Sequence, residues 1–168
     1  MSLHADLLEQ ARHLLRKEPR RPKQASLRRA VSAAYYALFH LLVHESSKRL
    51  ISGTAQERLR ALTARAFEHG TMKKASRAFA SGGLPPNLQS ILPHGVPAEI
   101  QEIADVFVGL QNARHSADYD VTLKLTRNET REFVGQAEGA FEAWQIVRED
   151  PVARVYLAAL LLWRQWNR

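Results

Sequence analysis

A cation, a hydroxyl, a phenol and an imidazole stand in line on one predicted helix: Arg29, Ser32, Tyr36 and His40, at spacings of three and four. At about 100° per residue they share a stripe beside the apolar one of Val31, Tyr35, Leu38 and Leu42. Such a row can grip a phosphate through the guanidinium and stack on a base through the phenol. It is equally the pattern of a partly solvated flank with the Tyr36 ring packed inward. A second cluster, Arg114-His115-Ser116-Ala117-Asp118-Tyr119-Asp120, closes a later predicted helix. There Arg114 can meet an anion while Asp118, one turn on, orients it. The alternative is local: a helix C-terminus favours a cation, and Arg114–Asp118 can be a plain i,i+4 pair.

Other chemistry is narrower. With no cysteine in the chain, disulfides, thiolate zinc sites and cysteine nucleophiles are excluded. His40 and His44 have i,i+4 spacing, which suits zinc, but Leu41 stands where a zinc-protease glutamate would be and no third ligand is evident. No metal and no cofactor is therefore expected. Arg16, Lys17, Arg20, Arg21, Lys23, Arg28 and Arg29 form a basic run that would attract a phosphate backbone in a salt-dependent way, or else lie solvated. No helix-turn-helix spacing, RNA-recognition sheet motif or zinc finger accompanies it.

The elements that must position these residues are helices. Leu3, Leu7, Ala11, Leu14 and Leu15 repeat at helical spacing and stop before Pro19. The longest helix is expected over about Lys23 to Ile51, ended by Gly53. Thr54-Ala55-Gln56-Glu57 then reads as a capping box opening a third helix, with Leu59, Leu62 and Ala66 inward and an interruption at Gly70. A short helix carrying Met72, Ala75 and Phe79 follows, and Gly82 to Val96 reads as a loop. From Pro97 a helix buries Ile100, Ile103, Phe107 and Leu110. Tyr119 to Leu125 alternates with period two and is expected to be extended. Thr126-Arg127-Asn128-Glu129 is a second capping box, opening a helix with Phe133, Ala137, Ala140, Phe141, Trp144 and Val147 inward. Asp150-Pro151 caps a last helix, apolar almost all round from Val155 to Trp163, which packs on another subunit or within its own core.

The sum is an all-α, up-and-down bundle of four to five main helices plus short ones, in a single domain over residues 1–168. The apolar run Val155–Trp163 is about half a membrane span, and the N-terminus lacks a signal-peptide core, so a cytoplasmic protein without membrane partners is expected. The net charge of +7 is uneven: residues 1–84 hold 16 Lys/Arg against 6 Asp/Glu, and residues 85–168 hold 8 against 11. That asymmetry favours an anionic partner for the first half, or an acid-to-base contact between two copies.

The stretch Arg28-Arg29-Ala30-Val31-Ser32-Ala33-Ala34-Tyr35-Tyr36-Ala37-Leu38-Phe39-His40 resembles the second-helix signature of the HEPN family. Arg114 followed by Ala117-Asp118-Tyr119 resembles the family's later motif, and the similarity covers residues 24–149. The resemblance implies a helical bundle that often dimerises, with the motifs converging near the dimer cleft. It also implies nucleotide or RNA binding, in toxin–antitoxin systems or beside a nucleotidyltransferase partner, with many members acting as metal-independent ribonucleases. In those, an arginine is followed after four to six residues by a histidine; here the residues beyond Arg114 at that distance are Tyr119, Asp120 and Val121. The expectation is thus a non-catalytic RNA- or nucleotide-binding homodimer using Arg29, Tyr36, His40, Arg114, Asp118 and Tyr119. The alternatives are an endoribonuclease using Arg114 with His40 or His115, and a structural dimerisation module for a partner protein.

Overall fold

Apolar residues at every third or fourth position make helices, and the helices dominate. The computed structural model describes residues 2–53 and 56–167, and among these it has eight helices and no strand. They are α1 (Leu3–Arg16), α2 (Gln24–Leu50), α3 (Glu57–Ala64), α4 (His69–Ser81), α5 (Pro86–Ile91), α6 (Ala98–Tyr119), α7 (Arg127–Val147) and α8 (Pro151–Trp166). The protein is an all-α helical bundle, as its periodicity predicts. No described helix is long and apolar enough to cross a membrane.

Two compact units divide the chain: the residues up to His40 with Val106–Glu142, and Leu41–Asp105 with the residues from Ala143 on. Helices α2, α6 and α7 contribute residues to both.

In the first unit, Leu27, Val31, Ala117 and Leu125 form a core patch with Leu15, Ala113, Leu123 and Phe133 packed against it. Leu27, Val31 and Leu125 each contribute roughly 1.5–3 kcal/mol by leaving water. Tyr35 is fully buried, its ring 5.6 Å from that of Phe107. The segment between α6 and α7 is fastened by side chains instead of a sheet. Arg28 donates to the carbonyls of Ala117 (3.0 Å), Asp120 (2.8 Å) and Leu123. The Gln24 amide donates to the Leu125 carbonyl at 2.8 Å and accepts from the Leu125 N–H at 2.9 Å. Thr126 caps α7 reciprocally with Glu129: the Glu129 N–H donates to Oγ1 at 3.2 Å, and the Thr126 N–H to the carboxylate at 2.7 Å. Arg127 reaches back to the carbonyls of Glu18 and Pro19.

In the second unit, α4 packs on α8. Met72, Ala75 and Phe79 are fully buried, Ser76 and Tyr156 share a hydroxyl–hydroxyl bond of 2.9 Å, and the Phe79 and Tyr156 rings lie 5.0 Å apart. Asp150 caps α8 by accepting from the Val152 N–H at 2.7 Å, with Pro151 in the first turn. Tyr156, Leu157, Ala159 and Leu160 on α8 are buried, while Val155, Leu161, Leu162 and Trp163 are half-buried. Trp144 is fully buried, and its indole N–H has no partner among the described residues.

Four sequence expectations change. Helix α3 buries nothing: Leu59 and Leu62 are exposed, as is Ala66 just beyond the helix, because no neighbouring element covers that face. The break before α4 comes at residues 65–68, and Gly70 lies inside the first turn of α4, where its flexibility costs little. Within the expected loop from Gly82 to Val96, Pro86 opens the short helix α5 and Leu88 buries it. Tyr119 ends α6 and Val121 sits in a turn almost fully exposed, so the alternation of Val121, Leu123 and Leu125 is not a strand. The capping box at Thr54 and Ala55 lies outside the described residues.

Candidate functional site

From Ala30 to Val43, every residue of α2 is buried except Tyr36 and His40, and two turns before Tyr36 Arg29 is exposed. Tyr36 and His40 stay partly open as polar side chains in a run mostly of Ala, Val, Leu and Phe, while Ser32, polar too, is buried against Asp118. Opposite this part of α2 within the first unit lies the last part of α6, carrying Arg114 and Asp118 one turn apart.

Four side chains close a polar seam between the two helices. Ser32, itself buried, donates to Asp118 Oδ1 at 2.6 Å. The other carboxylate oxygen lies 3.0 Å from Arg114 Nε, with the N–H not aimed along that line, so the contact is an ion pair more than a hydrogen bond. A terminal nitrogen of Arg114 donates to the Tyr36 hydroxyl. The guanidinium carbon also lies 5.2 Å from the Tyr36 ring centre and 5.9 Å from those of Tyr35 and Tyr119. Burial works against the Arg114 charge, but the Tyr36 hydroxyl, Asp118 and Tyr119 outweigh it and raise its pKa above the ordinary arginine value. The buried Tyr35 hydroxyl is pushed well above the ordinary tyrosine value by desolvation, with Arg114 pulling the other way. Arg114 is therefore a permanent, internally compensated cation.

The remaining sequence-derived residues divide sharply. Arg29 is exposed and makes no hydrogen bond or ion pair among the described residues. It lies between two cavities of about 400 Å³ each. One is lined by Leu7, Gln10 and Leu14 of α1 with Arg29, Ser32, Ala33 and Tyr36 of α2. The other is lined by Ala25, Arg28 and Arg29 of α2 with Ala117, Asp118 and Tyr119 of α6. Tyr119 is 65% exposed, its ring 5.0 Å from that of His115. His40 sits at the other end of the stripe, its ring 6.3 Å from Tyr36 and 5.2 Å from Phe39. Desolvation lowers its pKa below the ordinary histidine value, favouring the neutral imidazole. Ser32, Tyr36, Arg114 and Asp118 are thus joined directly, Arg29 and Tyr119 flank them, and His40 touches the group only through the Tyr36 ring.

Two of the cations counted in the basic run are engaged with backbone: Arg28 in its three-carbonyl clamp, and Arg16 on the Arg12 carbonyl at 3.2 Å. Lys17, Arg20, Arg21 and Lys23 stay exposed beside Arg29 in sequence. Sequence reasoning missed the α1 wall of the first cavity. Leu7, Gln10 and Leu14 are spaced to share a face, but Leu7 and Leu14 read simply as core positions. Among the described residues no three His, Asp or Glu side chains gather as a metal site would need. Comparison with family models, with curated proteins and with solved structures finds no match to this chain.

Proposed function

We propose that the protein is a HEPN-like, non-catalytic domain that binds RNA or a nucleotide on the α2 face, with Arg29 as the cation that meets phosphate. The observation that carries this reading is the contrast between the two arginines. Arg114 is held by Asp118 and Tyr36, whereas Arg29 is exposed beside two cavities with no partner among the described residues. Arg114, Asp118 and Tyr36 act as a frame that fixes the helix pair, and Tyr119, largely exposed, is available to stack on a base. Homodimerisation and a nucleotidyltransferase partner belong to the same proposal, on the strength of the motif resemblance alone.

The test is binding of labelled single-stranded RNA in EDTA at low and moderate salt, with wild type, Arg29→Ala and Arg114→Ala side by side. Binding that weakens about tenfold in Arg29→Ala, with RNA intact, supports the reading. Absence of binding at low salt overturns it and favours a structural dimerisation module.

A second reading, a metal-independent endoribonuclease, has one observation behind it. The His40 ring stands beside Tyr36, whose hydroxyl holds Arg114, and burial keeps that imidazole neutral, as a general base requires. RNA cleavage in EDTA that is lost in both His40→Gln and Arg114→Ala would establish it.

A further inference from the structure

We infer that the cavity between α1 and α2 is a base pocket: it takes the unpaired base of a nucleoside 5′-phosphate, free or at a strand end, while Arg29 holds the phosphate. The inference rests on the nucleotide-binding reading and goes beyond it in naming where the base goes and which helix selects it. A base has two apolar faces and a polar edge, and the cavity offers that combination. Leu7 and Leu14, two turns apart on α1, supply an apolar wall, and Ala33 on α2 gives a floor without bulk. Between the two leucines on the same face projects Gln10, whose amide carries both a donor and an acceptor and has no partner among the described residues. About 400 Å³ is within the range of small-ligand sites and leaves room for one base with its ribose.

The charge is placed to match. Arg29 lines this cavity as well as its neighbour, so a phosphate on Arg29 can set its base against the α1 wall. Tyr36 and Ser32 also line the cavity, but Arg114 donates to the Tyr36 hydroxyl and Ser32 donates its proton to Asp118. Both are held in place, which makes that side of the cavity rigid before any ligand arrives. Duplex nucleic acid, with its bases stacked away, could reach only Arg29. The pocket therefore selects unpaired bases.

Equilibrium dialysis of the intact chain against the four nucleoside monophosphates, ribose 5-phosphate and inorganic phosphate tests this directly. At least one nucleoside monophosphate is expected to bind about tenfold more tightly than ribose 5-phosphate. Gln10→Ala and Leu7→Ala should erase that difference while leaving ribose 5-phosphate binding unchanged. Arg29→Ala should weaken all the phosphates. Gln10 is exposed, so its variant keeps the fold even if Leu7→Ala does not. A parallel arm compares a single-stranded oligonucleotide bearing a 5′-phosphate with a blunt duplex. Preference for the single strand, reduced in Gln10→Ala, assigns the pocket to strand ends; a preference confined to mononucleotides assigns it to free nucleotides. If ribose 5-phosphate matches the nucleotides, or Gln10→Ala leaves every affinity unchanged, the base pocket is refuted although Arg29-dependent RNA binding stands. If nothing binds at low salt, both readings fall.

Discussion

Asp118 touches two partners on different helices, so its loss leaves the buried Ser32 hydroxyl without its acceptor and Arg114 without its counter-charge. Replacing it with alanine is expected to destabilise the chain by about 1–3 kcal/mol, read as a lower urea midpoint at unchanged slope. A double-mutant cycle with Ser32→Ala should show coupling between the two positions, since the Ser32 contribution runs through Asp118. His40 makes a pH prediction. Its folded-state pKa lies below the ordinary 6.5 through desolvation, so between the two values the unfolded chain binds more protons and stability rises with pH. Lowering the pH through about 6.5 should therefore reduce stability until the folded-state pKa is passed. His40→Gln should flatten that part of the profile, and denaturant midpoints between about pH 5 and 8 would show it. Unaltered slope in the variant would assign the dependence elsewhere.

At the scale of elements, ends are fastened by side chains, and these fastenings differ in how legible they are. The Asp150 and Thr126 caps follow from local rules and are visible in the sequence because their partners lie two or three residues away. Asp150→Ala should cost about 1 kcal/mol of stability and fray the first turn of α8 in hydrogen exchange. The Arg28 clamp and the Gln24–Leu125 pairing span about a hundred residues of chain, and no local pattern announces them. Arg28→Ala is expected to cost about 1–3 kcal/mol and to raise amide exchange over residues 117–125. The same reasoning explains α3. Helical spacing identified the element, but which side of a short helix finds a core depends on its neighbours, and Leu59 and Leu62 find none. The stripe of Arg29, Tyr36 and His40 was legible because α2 is long and apolar enough for any open line along it to be polar. The α1 side of the cavity was not legible, because the spacing of Leu7 and Leu14 is the same for a core position and a pocket wall.

At the scale of the molecule, the excess of 16 Lys/Arg over 6 Asp/Glu in residues 1–84 sets the field that an anionic partner would meet. The carbonyl contacts of Arg16 and Arg28 leave their charges in place, and the exposed cations of the basic run are Arg16, Lys17, Arg20, Arg21, Lys23 and Arg29. Binding of single-stranded RNA should fall steeply with salt, and charge removal at Arg20 or Arg21 should reduce the logarithmic salt slope by about one each. A slope that ignores both residues would place the contact elsewhere.

The division of the chain has a spectroscopic consequence. All three tryptophans, Trp144, Trp163 and Trp166, belong to the second unit, with Trp144 fully sealed from water, while the first unit has Tyr35, Tyr36 and Tyr119 as its phenols. Indole emission is thus a reporter built into the unit that does not hold the candidate-site residues. Melting curves followed at tryptophan and tyrosine wavelengths would coincide if the two units lose structure together, and would separate if one of them lets go first.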